Sequence, residues 1–233
     1  RQIGGPGVPA FLPGAAQAVQ RRAEFGNGRV HAAECMRRQW SRRTTMTAMN
    51  SSVLRPYRDK SPQLGQRVYV DPVASVIGDV VLGDDVSVWP FTVIRGDVNF
   101  IRIGARTNLQ DGTVVHVSHD GPHAKLGGFA TVIGEDVTIG HKAVIHACRI
   151  EDACLVGMGA TVMDGAVVKK HGFVGAGALI APGKTVGEGE LWLGNPGRFV
   201  RRLSDAEIEA LHYSAGHYVR LKDDYLAMTS PGG

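Results

Sequence analysis

A six-residue repeat runs through the middle of this chain and constrains its fold more than any other feature. Read in sixes from Leu82, the sequence gives LGDDVS, VWPFTV and IRGDVN, and the pattern resumes at Ile103 and again at Ile133. The first position of each unit is almost always Ile, Val or Leu, and the second is often Gly. Neither a helix nor an ordinary strand has a six-residue apolar period. A fixed hexapeptide period is typical of a parallel β-helix.

The repeat predicts an all-β solenoid over residues 49–200. Three short strands make one triangular coil of about 18 residues, and the aliphatic residue of each unit points inward onto its equivalent in the next coil. After the repeat, Ser204 and Glu207 have the spacing of a helix capping box, and apolar residues follow at helical spacing. We therefore predict a C-terminal α-helix over residues 201–228 that packs on the solenoid, and a tail at 229–233.

The basic character of the chain belongs to its N-terminal segment. The whole chain has a formal charge of +4, but residues 1–48 contain eight Arg, no Lys and two Glu, which is a net +6. This segment has no repeat, and we expect an unstructured or non-native extension. A transit peptide is the alternative, because such peptides are rich in Arg and poor in acidic residues. The Arg residues are scattered without an aromatic pattern, so we predict no nucleic-acid partner.

The cysteine content and the hydropathy of the chain indicate the cellular compartment of the protein. Cys35, Cys148 and Cys154 are too few for a disulfide framework and lack the CxxC spacing of a metal motif. We expect them to be small packing residues in a reducing, cytoplasmic environment. No apolar stretch approaches the length of a membrane-spanning helix, so no membrane partner is predicted.

Three histidines stand out in a repeat built mainly from Val, Ile, Gly and Asp. His116 follows Val115 and His146 follows Ile145, so the two histidines occupy equivalent repeat positions. The segment VSHDGPHAKLGGFAT between them contains Gly, Pro and Asp, which is typical of an excursion from the coil. If about twelve residues loop out, His116 and His146 lie one coil apart. Stacked strands are about 4.8 Å apart, which suits two ligands of one metal.

The third histidine, His141, has a different phase in the repeat. It lies on the preceding side of the triangle and points away from the other two within one chain. It completes the site if a second subunit presents its own His141, which predicts a homotrimer with three equivalent sites between subunits. A three-histidine zinc site leaves its fourth position open for water, as catalytic sites do. The alternative is that these are three ordinary surface histidines.

Several segments together resemble the γ-class carbonic anhydrase family. They are IRGD (94–97), IGARTNLQDGTVVH (103–116), IGHKAVIH (139–146) and the C-terminal helix. The chain is most similar to the bacterial branch that lacks an acidic loop, over roughly residues 50–228. The resemblance implies a left-handed β-helix, a homotrimer, and a zinc, iron or cobalt ion bound between subunits. It also implies that His116 and His146 come from one subunit and His141 from its neighbour.

Other site residues follow from the same resemblance. Arg95 and Asp97 match an Arg-x-Asp pair that bridges subunits close to the metal, although a purely trimer-stabilising ion pair is the alternative. Gln110 would hydrogen-bond the metal-bound hydroxide, and Asp111 would support a ligand or, alternatively, cap a turn. Tyr213 matches a tyrosine that reaches the pocket, and the alternative is a residue of the helix core.

The implied reaction is reversible hydration of CO2 to bicarbonate by a metal-bound hydroxide. The chain departs from the best-studied members of the family where they have a glutamate or an asparagine, since Val98 and Ala215 occupy those positions. The loop after the first ligand also contains no glutamate. His119 or His123 could shuttle protons there, because histidine exchanges protons near neutral pH. Alternatively, these exposed loop histidines have no role.

Two other functions remain open at this point. Loss of the shuttle glutamates is what a non-catalytic, metal-binding or structural trimer predicts. A hexapeptide-repeat acyltransferase would use one catalytic histidine and contacts to coenzyme A, and three histidines at ligand spacing argue against it. We therefore predict a carbonic anhydrase, a lyase that acts on CO2 and bicarbonate.

Overall fold

The computed structural model describes residues 53–122 and 126–229, and the described part contains twenty strands and one helix. The predicted N-terminal extension, Cys35, His123 and all but the first residue of the predicted tail lie outside the described residues. The elements are β1 (Leu54–Arg55), β2 (Gln63–Leu64), β3 (Tyr69–Val70), β4 (Ser75–Leu82), β5 (Ser87–Val88), β6 (Val93–Ile103), β7 (Asn108–Leu109), β8 (Val114–His116), β9 (Thr131–Ile133), β10 (Thr138–Ile139), β11 (Val144–His146), β12 (Arg149–Ile150), β13 (Leu155–Val156), β14 (Thr161–Val162), β15 (Val167–Val168), β16 (Phe173–Val174), β17 (Leu179–Ile180), β18 (Thr185–Val186), β19 (Glu190–Leu193), β20 (Arg198–Arg202) and α1 (Asp205–Thr229).

The strands stack in parallel on three faces of a prism. The first face contains β1, β8, β11, β14 and β17 with the first halves of β4 and β6. The second face contains β2, β9, β12, β15 and β18 with the second halves of β4 and β6. The third face contains β3, β5, β7, β10, β13, β16 and β19. The prediction of a left-handed parallel β-helix is confirmed.

The core is a set of aliphatic columns that run along the prism. On the first face, Ile94, Val115, Ile145, Val162 and Ile180 are successive neighbours in the strand ladder, and all are buried. Each such side chain contributes roughly 1.5–3 kcal/mol by leaving water. Because the aliphatic residue of each hexapeptide points inward, it determines which other residues of the repeat point outward, including the histidines.

Two strands are longer than the hexapeptide pattern predicts. β4 and β6 run around the corner from the first face to the second without a break. The corner depends on Gly78, which has a φ of 82°. A Cβ at this position would lie 2.3 Å from the carbonyl oxygen of Gly96, so a larger residue would force the two coils apart.

The predicted excursion is present between β8 and β9. At its neck, the backbone N–H of Ser118 donates to the oxygen of Phe129 at 2.9 Å, and the N–H of Phe129 donates back at 3.3 Å. The Asn99 side chain donates to the backbone oxygens of Ser118 at 3.3 Å and Gly127 at 3.1 Å. These contacts tie the base of the loop to the coil below.

The helix begins at Asp205, four residues later than the start of the predicted segment, because residues 198–202 form β20, which pairs antiparallel with β19. The capping box is present. The Ser204 N–H donates to Glu207 Oε2 at 2.9 Å, and the Glu207 N–H donates to Ser204 Oγ at 3.4 Å. Two hydrogen bonds that Arg201 donates to Glu207, with the smaller contribution of those from Ser204, lower the pKa of Glu207 to about 2.

The helix lies across the third face. An aromatic cluster made of Tyr69, Trp89, Tyr218 and Tyr225 joins the helix to the coils, with ring centroids 5.1–5.6 Å apart. The buried Lys222 Nζ also lies 2.9 Å from an Asp85 oxygen on the coil. In the described part of the chain, no helix has a stretch long and apolar enough to cross a membrane.

The two described cysteines pack inside the solenoid. Cys148 and Cys154 are buried free thiols, and both belong to or border the aliphatic core. Burial raises the pKa of each thiol to about 12, which keeps both protonated at neutral pH. The predicted packing role is confirmed for these two residues.

Candidate metal centre

His116 and His146 are direct neighbours on the first face. β8 and β11 pair in parallel, and the Cα partner of His116 is His146. The Nδ1 atom of His116 lies 3.3 Å from the Nε2 atom of His146, with ring centroids 5.3 Å apart. The prediction that an excursion brings these residues one coil apart is confirmed.

The outer nitrogen of each ring faces a carboxylate. His116 Nε2 lies 3.0 Å from Asp97 Oδ1, and His146 Nδ1 lies 2.9 Å from Asp164 Oδ2. An ionised carboxylate only accepts hydrogen bonds, so both outer nitrogens must carry the proton. In the neutral rings, the two facing nitrogens then both present lone pairs.

This donor set fits a metal ion. Two lone pairs 3.3 Å apart repel each other unless a cation lies between them. Two imidazole nitrogens bound to one tetrahedral metal at ~2.0–2.1 Å stand roughly 3.3–3.4 Å apart. The separation of the facing nitrogens therefore matches that of two ligands of one metal.

The electrostatics favour the same protonation states. Burial lowers the pKa of His116, and a neutral ring is the form that binds metals. Burial alone would raise the pKa of Asp97, but hydrogen bonds from His116 and Arg95 hold it below its usual value. Arg95 donates to the second oxygen of Asp97. The predicted Arg95–Asp97 pair is therefore formed within the chain.

Asp164 is a site residue that the sequence analysis missed. It lies 18 residues after His146, which is one coil further along the repeat. A search of the neighbouring coil for a partner of each histidine would have found it. Carboxylates that accept from the second nitrogen of a metal-binding imidazole fix the orientation of its ring.

His141 lies at the opposite edge of the first face from the pair. It sits in the turn between β10 and β11, five residues before His146. The turn includes Lys142, whose φ is 59°, and β11 then runs from Val144 to His146, so the two histidines lie at opposite ends of this strand. His141 Nδ1 lies 2.7 Å from Asp111 Oδ2, so this ring also has a carboxylate partner.

A single chain does not complete a three-ligand site. Among the residues that the structure describes, no group of three or more His, Cys, Asp or Glu side chains is arranged to hold a metal. The pair at one edge and His141 at the other are two separate parts of the predicted ligand set.

Gln110 lies beside His141 and is 6% exposed. Its Oε1 accepts from the backbone N–H of His141 at 3.2 Å. Its Nε2 donates to Oδ1 of Asn108 at 3.2 Å. Asn108, which the sequence analysis did not single out, is fully buried. The second N–H of Gln110 has no partner within the described part of the chain.

The two remaining predicted residues within the described ranges lie at the surface. Tyr213 is 68% exposed, so the alternative interpretation as a helix core residue is wrong. Its ring stacks on His217 with centroids 6.4 Å apart and lies 5.8 Å from the guanidinium carbon of Arg220. His119 is exposed on the excursion.

The chain is similar to proteins of known sequence and structure. Residues 61–96 match the family model described as bacterial transferase hexapeptide (six repeats). Protein YrdA of Escherichia coli (strain K12) is 52% identical over 176 residues, covering 76% of this chain and 95% of that protein. The mitochondrial gamma carbonic anhydrase 2 of Arabidopsis thaliana is 43% identical over 214 residues, covering 92% of this chain and 72% of that protein. A hexapeptide transferase family protein from Anaplasma phagocytophilum has a solved structure that is 42% identical with a TM-score of 0.69, covering 75% of this chain and 98% of that one.

Proposed function

Because the chain belongs to the γ-class carbonic anhydrase family of hexapeptide-repeat proteins, we propose that it is a trimeric metalloenzyme for the reversible hydration of CO2. One observation carries the proposal. His116 Nδ1 and His146 Nε2 face each other across 3.3 Å, and carboxylates hold the proton on the outer nitrogen of each ring. Two nitrogen lone pairs that face each other on the outside of a rigid coil are suited to bind a divalent metal.

The surface of the first face supports a trimer. Val114 and Val144 point outward from β8 and β11 and are 40% and 38% exposed. They lie between His141 at one edge and the His116–His146 pair at the other. Three-fold closure about an axis in front of this face would cover the valines and bring opposite edges of neighbouring subunits together. Each interface would then contain one complete set of three histidines.

The proposed ligands are His116 and His146 of one subunit and His141 of its neighbour. Imidazole nitrogens suit zinc, iron and cobalt alike. These three neutral imidazoles would hold a divalent metal with a position left for water, and the metal would supply hydroxide for CO2 hydration by lowering the pKa of that water toward ~7.

The other polar residues have supporting roles in this proposal. Asp97 and Asp164 each accept from one imidazole and so fix its ring orientation, and the Asp111 carboxylate lies 2.7 Å from Nδ1 of His141. Arg95 keeps Asp97 ionised. Gln110 offers its unpartnered N–H to an oxygen of the substrate or product. Tyr213 is exposed on α1 and is therefore available to a neighbouring subunit.

Proton release needs a group that exchanges protons near neutral pH. His119 is exposed on the excursion that begins directly after His116. Its imidazole is the side chain type best suited to this exchange. We propose His119 as the shuttle, with His123 of the same loop as the second candidate.

Stopped-flow CO2 hydration tests the proposal. The protein is assayed for metal and loaded with zinc, or anaerobically with iron, and turnover is measured across about pH 6–9. Turnover should follow metal content and be lost in His116→Ala. His212→Ala, on the helix, is the matched control and should retain turnover. A fully loaded trimer without hydration activity would contradict the enzymatic proposal.

The second candidate is a non-catalytic, metal-binding trimer. It is favoured by the absence of glutamate from the segment 117–131 and by the exposed Val98 that follows Asp97. Full metal occupancy with no hydration under either metal would favour it. An acyltransferase would instead show no stoichiometric metal, and the same metal assay separates it from both metal-binding proposals.

A further inference from the structure

A buried chain of hydrogen bonds connects the C-terminal helix to Gln110. On α1, Ser214 Oγ lies 3.1 Å from Thr138 Oγ1 on β10. Thr138 Oγ1 accepts from Asn108 Nδ2 at 3.0 Å. Asn108 Oδ1 accepts from Gln110 Nε2 at 3.2 Å, and Gln110 Oε1 accepts from the His141 backbone. The chain therefore runs from the helix to the turn that carries a proposed metal ligand.

These side chains share the face that the helix covers. Thr138 and Asn108 are direct neighbours in the ladder between β10 and β7. Asn108 is fully buried, Thr138 is 4% exposed, and Gln110 is two residues after Asn108 on the same side of the strand. Asn108 Nδ2 also donates to the Val137 backbone oxygen at 3.4 Å, which is a longer bond than the one to Thr138 at 3.0 Å. Buried polar groups are costly without partners, so loss of the shorter bond would loosen the Asn108 amide.

The backbone N–H of His141 determines which atom donates and which accepts in each of these hydrogen bonds. A backbone N–H can only donate, so the group of Gln110 that faces His141 must be its oxygen. The NH2 group of Gln110 then faces Asn108 and donates to its oxygen. The NH2 group of Asn108 in turn donates to Thr138, which leaves the Thr138 hydroxyl proton free to donate to Ser214.

We propose that Thr138 and Ser214 are positioning residues for Gln110. Through Asn108, they hold the Gln110 amide in one orientation, in which its oxygen is engaged and its second N–H is free for a ligand. A fixed N–H donor favours an anionic ligand at the metal centre. Docking of α1 thereby strengthens anion binding. This inference rests on the proposed metal centre.

The test compares variants of Thr138 that keep or remove its hydroxyl. Thr138→Val keeps the shape and removes the hydrogen bond, whereas Thr138→Ser keeps the hydroxyl. Thr107→Val is the matched control, since Thr107 is also buried and its hydroxyl donates to the Gly134 backbone at 2.8 Å, outside this chain of bonds. The readout is azide affinity of the cobalt-loaded trimer, measured by visible absorption at known metal content.

Thr138→Val should weaken azide binding about tenfold, which is the order expected when one hydrogen bond to a charged ligand is loosened. Thr138→Ser and Thr107→Val should bind azide as the wild type does, and Ser214→Ala should lie between, at about threefold. Unchanged affinity in Thr138→Val would overturn the inference. Equal weakening in Thr138→Val and Thr107→Val would also overturn it, because the effect would then be general loosening.

A second readout separates this inference from the proposed function. If the wild type binds no stoichiometric metal, the proposed metal centre fails. The positioning of Gln110 is then judged from crystal structures of metal-free Thr138→Val and Thr138→Ser. A rotated Gln110 amide in the valine variant alone would support the inference. An unchanged amide in both variants would overturn it.

Discussion

His116 lies beside His146 because the chain between them contains one coil and a twelve-residue excursion. Their Cα atoms are direct partners in the ladder of β8 and β11, and their facing nitrogens are 3.3 Å apart. The rigid stacking of the coil therefore sets the spacing of the two proposed ligands. The flanking carboxylates, Asp97 and Asp164, then decide which nitrogen of each ring is left to bind a metal.

Asp164 should set the metal affinity of the site. Asp164→Ala removes the acceptor of the His146 Nδ1–H, so the ring can turn or change tautomer. We expect the metal dissociation constant to rise about 10–100-fold, with a smaller rise in Asp164→Asn, which keeps an acceptor but loses the charge. Competition with a chromophoric chelator measures this effect.

The control for Asp164 is Asp152→Asn. Asp152 lies at a turn of the coil, and its carboxylate accepts from the Glu135 backbone N–H at 2.9 Å rather than from one of the three proposed ligands. Its substitution should leave metal affinity unchanged. Equal losses in Asp152→Asn and Asp164→Ala would mean that coil stability, rather than ring orientation, controls metal binding.

Val144 should be essential for assembly. In the proposed trimer its side chain faces the three-fold axis, so Val144→Arg would bury three like charges at the interface. We expect monomers by light scattering, together with loss of metal, because His141 no longer meets its partners. Thr185→Arg on the second face is the control and should remain trimeric. A fully loaded trimer in Val144→Arg would exclude the first face as the interface.

The sequence predicted the parts of the fold that depend on the repeat. The aliphatic positions set the inward columns, and counting the excursion as twelve residues placed His116 next to His146. The same counting put His141 on the preceding side of the triangle, whereas the structure places it in the turn between β10 and β11. The pairing of His116 with His146 was predicted correctly because a coil of constant length converts sequence separation directly into position.

The features that the sequence did not predict depend on contacts between distant segments. The bend of β4 and β6 around a corner requires the close approach of Gly78 and Gly96. The hexapeptide period of the sequence does not indicate this contact. The hydrogen bond between Thr138 and Ser214 requires α1 to lie on the third face. Lys222 is charged, yet it is fully buried, because Asp85 meets it from the coil.

Lys222 should anchor the helix to the coil. Lys222→Ala removes a buried partner of Asp85, which retains only its pairing with Arg67. We expect a loss of about 2–3 kcal/mol in the free energy of unfolding. Lys222→Met keeps the aliphatic packing and should lose less. Urea denaturation measures both, with the exposed Lys184→Ala as the control. A change below about 0.5 kcal/mol in Lys222→Ala would contradict this role.

His171 should make stability depend on pH. Burial, and then the charges of Lys170 and His212, lower its pKa in the folded state. Its Nε2 is a buried atom without a hydrogen-bond partner. The unfolded chain, with a histidine pKa of ~6.5, then takes up a proton more readily than the fold does. Stability should therefore fall as the pH drops below about 6.5 and level off below the folded-state pKa.

The variant that tests this prediction is His171→Asn. His171 has a φ of 58°, and asparagine tolerates this conformation while removing the titration. The urea midpoint of the metal-free protein is compared at about pH 7.5 and 5.5. The wild type should lose more stability than the variant over this range. Equal losses would show that His171 is not responsible.

The measurement that tests the central claim most directly is complementation between His116→Ala and His141→Ala. Each variant alone should form metal-free trimers. Trimers that contain both subunits, isolated with two different tags, should regain about one metal and one active site per trimer, because one interface then combines an intact pair with an intact His141. Mixed trimers without metal, or stoichiometric metal in His141→Ala alone, would contradict a site shared between subunits.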